Sequence, residues 1–583
     1  VKARSGAAAV KQAWAAVESA FDWKVHQSLQ PPPRKGWDEI FVETYVPRGE
    51  QRAQAIARRK GGTAWVALVR GTPASLDKRG AQIRTFLASL KAPGVKEEDL
   101  SRAVPRSIVK ARGELVAFVQ RAMKATGTPG LALAVVEQGK VVLAEGFGVR
   151  ELGQSRPVTP DTLMMIGSVS KSLTTLLMAR LVDEGKLSWS RPVRELLPRF
   201  AVGDEALSRA LTVEQLVCAC AGLPRKDLPL ILEYGRKRPK DVFAELATIR
   251  PSTQLKETFQ YQNHMVAAGG YLAGRAFTRR GALGKAYDRA MQQRVFDPLG
   301  MRETTLDHRA ALRQPRRATP HSQDLKAVHR VVPLKTERFA VYIRPSGGIW
   351  STARDMARYV MLELGRGVAF GGKRLVSEAN LTHRWKPQVQ ISSDVAYGLG
   401  LGVAKRRGLL HLSHNGGTMG FASHVGFWPE KGLGLVVLSN GTGGHLVSKV
   451  LAARLEELWF GIDLKATQRL DYALRVQAEE IAKFNKRSGP PEAQWIAPLL
   501  GRHENEEIGP VTLRRRGKTY RLDAGEYTTR LVQYDRPDGK RVLVFADPPL
   551  AGLELVPLKA GEGSFEMTRG QERYRFQRVG RER

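Results

Sequence analysis

The sequence predicts a multidomain protein whose central α/β domain lies between a small N-terminal α+β domain and a C-terminal β-barrel-like domain. Its 583 residues are enough for two to four domains of ~100–200 residues each. Hydrophobic and charged contents of 42% and 26% are typical of a globular protein. Helix and strand patterns change near two linkers, so we expect domains at residues 1–105, 106–485 and 490–583.

The first domain has the pattern of a small α+β unit. A helical stretch at residues 7–21 precedes an alternating strand at residues 40–46. A second strand at residues 64–69 follows a Gly-Gly turn, and a helix is predicted over residues 76–90. The punctuation Ala92-Pro93-Gly94 ends the unit, and a charged linker follows.

The central domain begins with an amphipathic helix at residues 115–125 and a hairpin. Its strands, residues 131–137 and 141–147, are joined by Gly139-Lys140. Residues 172–340 are mostly helical, and strand character returns over residues 396–440, with strands predicted at residues 397–403, 409–413, 422–428 and 433–438. Strands therefore bracket a helical insertion, which predicts an antiparallel sheet flanked by helices together with a mostly helical subdomain.

The last domain is predicted from turn-rich β patterns. A helical stretch at residues 441–485 ends in the linker Gly489-Pro490-Pro491. Short strands with turn residues between them then favour a small barrel or sandwich. These strands are predicted at residues 511–513, 519–522, 542–545, 565–567 and 574–576.

The net charge of +36 is open to two interpretations, attraction to a polyanion or a solvated basic surface. Because the basic residues are spread along the chain and no nucleic-acid-binding motif accompanies them, we favour the solvated surface and expect no nucleic-acid partner. No apolar run is long enough to span a membrane. The chain opens on Val1, so we expect a preceding segment, including any secretory signal, to have been removed.

Cys218 and Cys220 are the two cysteines. A bridge between residues two apart is expected to be strained, and two cysteines cannot complete a structural zinc site. We therefore interpret them as small buried apolar side chains. No metal cluster, phosphate loop or dinucleotide fingerprint occurs, so the sequence implies no metal and no cofactor.

The strongest chemical signal is Ser168-Val169-Ser170-Lys171, directly before an apolar helical run. On a helix this spacing places the two side chains on one face, about 5–6 Å apart at Cβ. A serine needs a base to become nucleophilic, and Lys171 becomes one if its pKa is lowered. Two other Ser-x-x-K matches are interpreted differently: Ser75 as a helix N-cap and Ser107 as a chance match in the linker.

Two further segments hold groups that such a pair needs. Tyr261 and Asn263 form the chain's one Tyr-x-Asn and precede an apolar helix, so they are either a proton carrier with its partner or simply a helix start. His414 is followed by Asn415, Gly416 and Gly417 at the end of a predicted edge strand. These glycines allow the backbone to approach a ligand closely, and the N–H of Gly417 is a candidate oxyanion donor.

Together with their order, these pieces closely resemble the β-lactamase-related serine hydrolases over residues 125–460. That family contains class C β-lactamases, D-aminopeptidases, DD-peptidases and family VIII carboxylesterases. The resemblance includes Gly146-Phe147-Gly148-Val149, Ile166–Lys171, Val182–Leu187, Leu211–Leu216, Gly222-Leu223-Pro224, Pro298-Leu299-Gly300-Met301, Ser346–Asp355 and Tyr397-Gly398-Leu399-Gly400.

The resemblance implies a role for each candidate residue. Ser168 would be the acyl-accepting nucleophile, Lys171 its base or the partner that tunes it, and Tyr261 a second proton carrier. The backbone N–H groups of Ser168 and Gly417 would form the oxyanion hole. Which of Lys171 and Tyr261 is the general base stays open, because the two groups are coupled.

The resemblance also implies how substrate is held. Asn263 would orient Lys171 or bind substrate, and Gly416 would lie against substrate. His414 stands where β-lactamases and penicillin-binding enzymes usually carry the lysine of Lys-Thr-Gly.

A histidine is mostly neutral at pH 7, which weakens the case for substrates with a carboxylate at that position. The sequence therefore favours a serine hydrolase of esters or amides, most of all a carboxylesterase, acting on a small ester, amide or peptide. The alternatives are a D-aminopeptidase or DD-peptidase, a β-lactamase and, in another class, a non-catalytic cell-wall-binding protein.

The tail resembles a lipocalin-like domain in Leu500–Asn505 and Ile508–Leu513. In relatives such a domain covers the active-site mouth or supports oligomers. The family resemblance also implies a periplasmic or secreted protein. The sequence leaves the oligomeric state and the role of residues 1–105 open.

Overall fold

The computed structural model describes residues 1–232, 234–558 and 563–580. It contains a four-stranded sheet, an eight-stranded antiparallel sheet and a closed barrel, in that order along the chain. The predicted fold class, an α/β centre with a small N-terminal sheet unit and a C-terminal β unit, is confirmed. The boundaries at residues 105 and 485–490 remain predictions, and residues 559–562 and 581–583 of the predicted last domain lie outside the described part.

The N-terminal sheet is an antiparallel meander of four strands covered by one helix. The helix Gly6–Val17 packs Trp14 and its neighbours against the sheet. The strands are Val25–Leu29, Glu39–Tyr45, Arg52–Lys60 and Thr63–Gly71. Instead of the single helix predicted over residues 76–90, two helices follow, Pro73–Lys78 and Gly80–Ser89. Thr72 rather than Ser75 caps the first of them.

The central sheet joins the two ends of the middle region. Across the sheet its strands are Val389–Ser392, Val395–Tyr397, Gly402–Arg406, Leu409–Gly417, Ala422–Trp428, Leu433–Ser439, Gly130–Glu137 and Lys140–Gly148. Leu433 pairs with Glu137 and Ser439 with Leu131, so the chain returns beside the strand on which the sheet began. The stretch predicted as one strand at residues 397–403 is two strands, with Gly400 at φ +71° between them.

Helices cover both faces of the central sheet. Successive side chains of a strand point to opposite faces, so a strand that is apolar throughout needs a covering layer on each face. Leu131, Leu133 and Val135 pack with one helical layer, formed by Arg112–Thr126, Gly444–Phe460 and Ala466–Arg487. The alternate residues on this strand pack into the larger core on the opposite face. That core is built on Ser170–Asp183, Asn263–Phe277 and Ala353–Leu364.

The predicted helical insertion is present and contributes to the larger core. Its shorter helices are Val193–Leu196, Glu205–Ala210, Leu228–Leu232, Asp241–Thr248, Leu283–Met291, Asp297–Leu299, His308–Arg313, Phe339–Tyr342 and Arg344–Gly347, followed by Glu378–His383. Two small ladders, Met164–Met165 with Trp350–Ser351 and His321–Gln323 with His329–Val331, complete this region. No helix in the described ranges is long and apolar enough to cross a membrane.

The C-terminal sheet closes into an eight-stranded antiparallel barrel preceded by the short helix Ala493–Ile496. Its strands are Gly501–Asn505, Gly509–Arg516, Thr519–Asp523, Thr528–Asp535, Arg541–Phe545, Glu554–Pro557, Phe565–Arg569 and Glu572–Gly580. Closure comes from pairing of Thr528–Asp535 with Arg541–Phe545. The barrel accords with the predicted β unit, whereas its likeness to lipocalins stays a prediction.

A helix of the central region fastens the barrel in place. In Leu228–Leu232, Leu228 and Leu232 belong to the apolar interior of the barrel, whereas Leu230 belongs to the main core. Just before this helix, the Lys226 ammonium lies 2.7 Å from the Glu507 carboxylate of the barrel. The segment that follows Gly222-Leu223-Pro224 is therefore held by both units.

The expectation for the cysteines is wrong. Cys218 and Cys220 form a disulfide with their Cα atoms 5.2 Å apart, a separation within the usual range for a bridge. Ala219 between them has φ +53°, which brings the two Cα atoms to one side of the turn. Both cysteines are fully buried.

Candidate active site

Ser168 lies on a single tight turn, Gly167–Val169, directly before the helix Ser170–Asp183. Gly167 has φ +48°, and a Cβ added there would come within 2.7 Å of the Gly417 nitrogen. Only glycine fits this position. The close approach places Ser168 next to the end of the strand Leu409–Gly417, with its side chain partly exposed.

Lys171 is fully buried one turn further on. Its Nζ donates to Ser168 Oγ at 2.9 Å and to the Ser346 carbonyl oxygen at 2.6 Å. Burial lowers the pKa of Lys171 well below its usual value, the Arg225 charge lowers it further, and Asp227 acts in the opposite direction. The amine is therefore disposed to accept a proton from the serine with which it is hydrogen-bonded.

Tyr261 lies on the other side of the same pair. The Lys171 Nζ is 4.8 Å from the centre of its ring, and the Arg225 guanidinium carbon is 5.0 Å from it. Burial raises the pKa of Tyr261 to about 12, although a hydrogen bond with Ser168 and the Arg225 charge act to lower it. The phenol is therefore protonated near neutral pH and can pass a proton.

His414 has both ring nitrogens occupied. Nδ1 is 2.6 Å from the Asn415 carbonyl oxygen, and Nε2 is 2.9 Å from the Tyr397 hydroxyl. Burial, with Lys171 as a smaller contribution, lowers the pKa of His414 to about 3. The neutral ring thus donates through Nδ1 and accepts the Tyr397 hydroxyl through Nε2, and its centre lies 6.3 Å from that of Tyr261.

The strand that carries His414 is internal to the sheet, which corrects the expectation of an edge strand. Its neighbour Gly402–Arg406 begins with Gly402, which pairs with Ser413. Residues 414–417 therefore extend past the start of that neighbouring strand. A Cβ on Gly416 would come within 2.0 Å of the Ile166 carbonyl oxygen. The glycines are therefore required for this strand to lie against the turn that bears Ser168.

Asn263 is the first residue of the helix Asn263–Phe277, and Gln262 is its N-cap. Its Nδ2 donates to Asp227 Oδ1 at 3.1 Å. Among the hydrogen bonds of the described residues none joins Asn263 to Lys171. Its predicted role in holding substrate stays a prediction.

Four groups at the site were missed from the sequence. Arg225 and Asp227 follow the Gly222-Leu223-Pro224 motif, Tyr397 begins another family motif, and Ser346 begins a third. The motifs located these segments, but no spacing rule shows that Tyr397 reaches His414 or that Ser346 accepts from Lys171.

A cleft of about 420 Å³ opens onto Ser168 and is also lined by Arg225, Asp227, Asn263 and Gly417. We call Ser168, together with Lys171, Tyr261 and His414 behind it, the cleft floor; of these four residues Ser168 lines the cavity itself. The cleft rim comprises Arg225 together with Pro549–Leu553 and Arg569, which the barrel contributes beside the opening to Ser168. In the parts of the chain that the structure describes, no three His, Cys, Asp or Glu side chains are grouped as metal ligands.

The fold and the serine–lysine site define the class of serine hydrolases built on the β-lactamase fold. The chain belongs to the beta-lactamase family, whose model matches residues 115–458.

Individual relatives agree with this assignment. The chain is 26% identical over 328 residues to an unguisins hydrolase of Aspergillus campestris, covering 54% of this chain and 59% of that protein. It is 29% identical over 325 residues to penicillin-binding protein 4 of Amycolatopsis lactamdurans, covering 54% of this chain and 81% of the relative. The match thus spans less than two thirds of the length of the fungal hydrolase.

A solved structure shares the fold. The octameric penicillin-binding protein homologue from Pyrococcus abyssi superposes with a TM-score of 0.51 and 20% identity. The superposition covers 80% of this chain and 99% of the homologue. At this identity the likeness is one of fold alone.

Proposed function

We propose that this protein is a carboxylesterase that cleaves small esters through an acyl-enzyme on Ser168. The observation that carries the proposal is the buried contact of 2.9 Å between Lys171 Nζ and Ser168 Oγ. A buried lysine with a lowered pKa activates a serine hydroxyl that faces an open cleft. The family, and the hydrolases among its members, support the same reaction class.

The reaction proceeds in two halves. Lys171 takes the Ser168 proton while Oγ bonds to the substrate carbonyl carbon, and the N–H groups of Ser168 and Gly417 stabilise the resulting oxyanion. Collapse expels the alcohol, which receives a proton through Tyr261. A water molecule then attacks the acyl-enzyme by the same route, releasing the acid and restoring the serine. Tyr397 donates to His414 and so holds the neutral imidazole beside Tyr261.

Esters are favoured over β-lactams because His414 is neutral. The lysine that usually stands at this position in β-lactamases suits a substrate carboxylate. A second candidate is a D-aminopeptidase or DD-peptidase, in which Asp227 of the cleft lining would bind a substrate amine in competition with its partners Asn263 and Arg225. We also propose a periplasmic or secreted location.

Intact-mass spectrometry after incubation with a fluorophosphonate tests the nucleophile. We expect one adduct on the parent protein and none on Ser168→Ala. Ser75→Ala is the matched control, since Ser75 heads another Ser-x-x-K match but lies on an exposed helix, and it should be labelled like the parent. Absence of an adduct on the parent would overturn the proposal and favour a non-catalytic binding protein.

A substrate panel then separates the candidates. We expect hydrolysis of p-nitrophenyl butyrate that is lost in Ser168→Ala. Turnover of D-alanine p-nitroanilide without ester hydrolysis would replace the esterase with the peptidase. Turnover of nitrocefin alone would favour a β-lactamase.

A further inference from the structure

The rim of the cleft differs from its floor in carrying fixed positive charge. Arg225 and Arg569 both line the cavity that opens onto Ser168. Arg225 comes from the segment held between the central unit and the barrel, and Arg569 ends the barrel strand Phe565–Arg569. The two guanidinium groups therefore reach one cavity from different units of the chain.

Arg225 is held in place but leaves its outer edge available. Its Nε donates to Asp227 Oδ2, and its guanidinium lies over the Tyr261 ring. The side chain is 52% exposed, and within the described residues no hydrogen bond from its two terminal amino groups is found. An arginine fixed in this way offers a rigid pair of donors that matches a carboxylate.

The acidic side chain at this edge of the cleft is already engaged. Asp227 Oδ1 accepts from Asn263 and Oδ2 from Arg225, and its side chain is only 10% exposed. An anion approaching Arg225 therefore meets the free edge of the guanidinium rather than a free carboxylate.

Arg569 is exposed and has no acidic partner among the residues that the structure describes. Its cross-strand neighbour is Glu572, whose carboxylate instead lies 3.8 Å from the Lys226 ammonium. Lys226 is itself shared with Glu507. These two acidic groups of the barrel are thus directed to a lysine outside the cavity. The Asp77 carboxylate of the N-terminal unit lies beside Gly570 and accepts from the Gln571 side chain at 3.2 Å, and it forms no ion pair with Arg569 in the described part of the chain.

The remaining lining of the cavity supplies no opposing charge. It consists of hydroxyl groups such as Ser322 and Thr442 and of apolar side chains such as Phe339 and Leu550. At the floor the pKa values of Lys171 and His414 are lowered by burial, so neither adds a strong cation. Two guanidinium groups and one engaged carboxylate leave the rim net positive.

We infer that Arg225 and Arg569 form an anion-binding subsite at the rim of the cleft, which takes a carboxylate carried by the substrate away from the scissile carbonyl. This inference rests on the proposed ester hydrolysis at Ser168. It places the substrate anion at the part of the cleft that the barrel lines. The protein would then select esters of dicarboxylic acids, or esters whose alcohol bears a carboxylate.

Two matched ester pairs test this selection. Mono-p-nitrophenyl glutarate is compared with its methyl ester, and para-acetoxybenzoate with methyl para-acetoxybenzoate. We expect kcat/KM for the anionic member of at least one pair to exceed that for the neutral member by about tenfold, as for a charge-assisted bidentate contact. Added salt should reduce the ratio. Equal values in both pairs would overturn the inference.

Variants assign the preference to the rim. Arg569→Gln should lower the anionic-to-neutral ratio by about tenfold, and Arg569→Glu should invert it. Arg575→Gln is the matched control, because Arg575 is another barrel arginine, 69% exposed and paired with Glu566 away from the cleft. A preference that survives in Arg569→Glu would exclude the subsite.

A binding measurement separates failure of the subsite from failure of the esterase. Calorimetry on Ser168→Ala with monomethyl glutarate requires no turnover. Binding that weakens at least about tenfold in Ser168→Ala/Arg569→Glu supports the subsite even if no ester is hydrolysed, in which case the proposed function alone fails. If neutral esters are hydrolysed but the protein neither prefers nor binds anionic ones, the subsite is overturned and the proposed esterase activity stands.

Discussion

At the cleft floor each proposed catalytic side chain is held by close neighbours, whereas the side chains that the barrel contributes to the rim are exposed or only partly buried. Lys171 is fully buried and His414 has both nitrogens occupied. By contrast, Arg569 is exposed and without an acidic partner in the described ranges, and Leu550 is only partly buried. The floor is built from the central sheet and its helices, the rim largely from the barrel.

This difference suggests a division of roles, in which the floor residues carry out the reaction and the rim residues determine which substrate binds. In the proposed mechanism the floor groups act on any acyl compound that reaches Ser168, and the pKa values of Lys171, Tyr261 and His414 depend on their burial. The rim groups touch the more distant parts of a substrate, so they can change with smaller consequences for the chemistry. If this separation holds, substitutions at the floor and in the core that supports it should lower stability and reaction rate. Substitutions at the rim should change which substrates are preferred.

The largest expected effect lies directly beneath the floor. Arg384 and Glu363 form a fully buried ion pair at 2.7 Å, and Arg384 also donates to the Ser172 carbonyl oxygen on the helix that follows Ser168. Arg384→Ala leaves the Glu363 carboxylate buried without its cationic partner, so we expect the free energy of unfolding to fall by about 3–5 kcal/mol. Denaturant unfolding measures it.

An exposed ion pair provides the control for this variant. Arg191 and Glu195 are 2.9 Å apart with side chains 45% and 54% exposed, so that Arg191→Ala should cost at most about 1 kcal/mol. Equal losses in the two variants would contradict the view that the region below the floor is the less tolerant one.

A buried carboxyl group beside the cleft gives the next largest effect. Glu337 Oε1 accepts from Thr418 Oγ1 at 3.0 Å and from the Gly420 nitrogen at 2.9 Å, in the loop after Gly417. Burial raises the pKa of Glu337 from 4.5 to about 7. The folded state thus binds more protons than the unfolded state between these values, and its stability falls as the pH rises through that window.

The expected size of this loss is about 3 kcal/mol between pH ~4.5 and ~7. Glu337→Gln keeps the accepting oxygen and removes the ionisation, so the variant should match the parent at the acid end and exceed it in stability above pH ~7. Chemical denaturation across pH measures the difference. Glu506→Gln, at an exposed position of the barrel, should show the same pH dependence of stability as the parent. If Glu337→Gln loses stability with rising pH as the parent does, Glu337 is not the group responsible.

Tyr261→Phe tests the floor itself. Removal of a positioned proton carrier should lower kcat by at least about 10². The fold should persist, because the ring still packs against Lys171 and Arg225. Steady-state kinetics on p-nitrophenyl butyrate measures the loss. Tyr472→Phe, on the outer helix Ala466–Arg487, should keep the parent rate, and a near-normal rate in Tyr261→Phe would remove Tyr261 from the mechanism.

The sequence was informative where a strand is buried along nearly its whole length. The strands Gly130–Glu137, Ala422–Trp428 and Leu433–Ser439 lie within one residue of their predicted bounds, and nearly all of their residues are buried. The strand Arg52–Lys60 was missed because its inward positions are the alanines 53, 55 and 57, which give a weak apolar signal among arginines.

The sequence predicted those contacts of the site that join residues within one local motif, but not those between distant segments. Ser168 and Lys171 share one helical turn, so their contact follows from spacing. The contact between Tyr397 and His414 joins two strands, and that between Asn263 and Asp227 joins the start of a helix to a loop. The barrel's place at the rim depends on how the segment around Leu228 packs, which no local pattern encodes.

The smallest expected effect is at the rim and concerns the size of the substrate. Leu550 lines the cleft and packs against both the barrel interior and the main core. Leu550→Ala removes apolar surface from the wall, so KM for long-chain p-nitrophenyl esters should rise by about three- to tenfold while kcat stays within about twofold. Leu558→Ala, at a barrel position 40% exposed and away from the cleft, should change neither constant. A loss confined to kcat in Leu550→Ala would show that the rim takes part in the chemistry, and the separation between floor and rim would then fail.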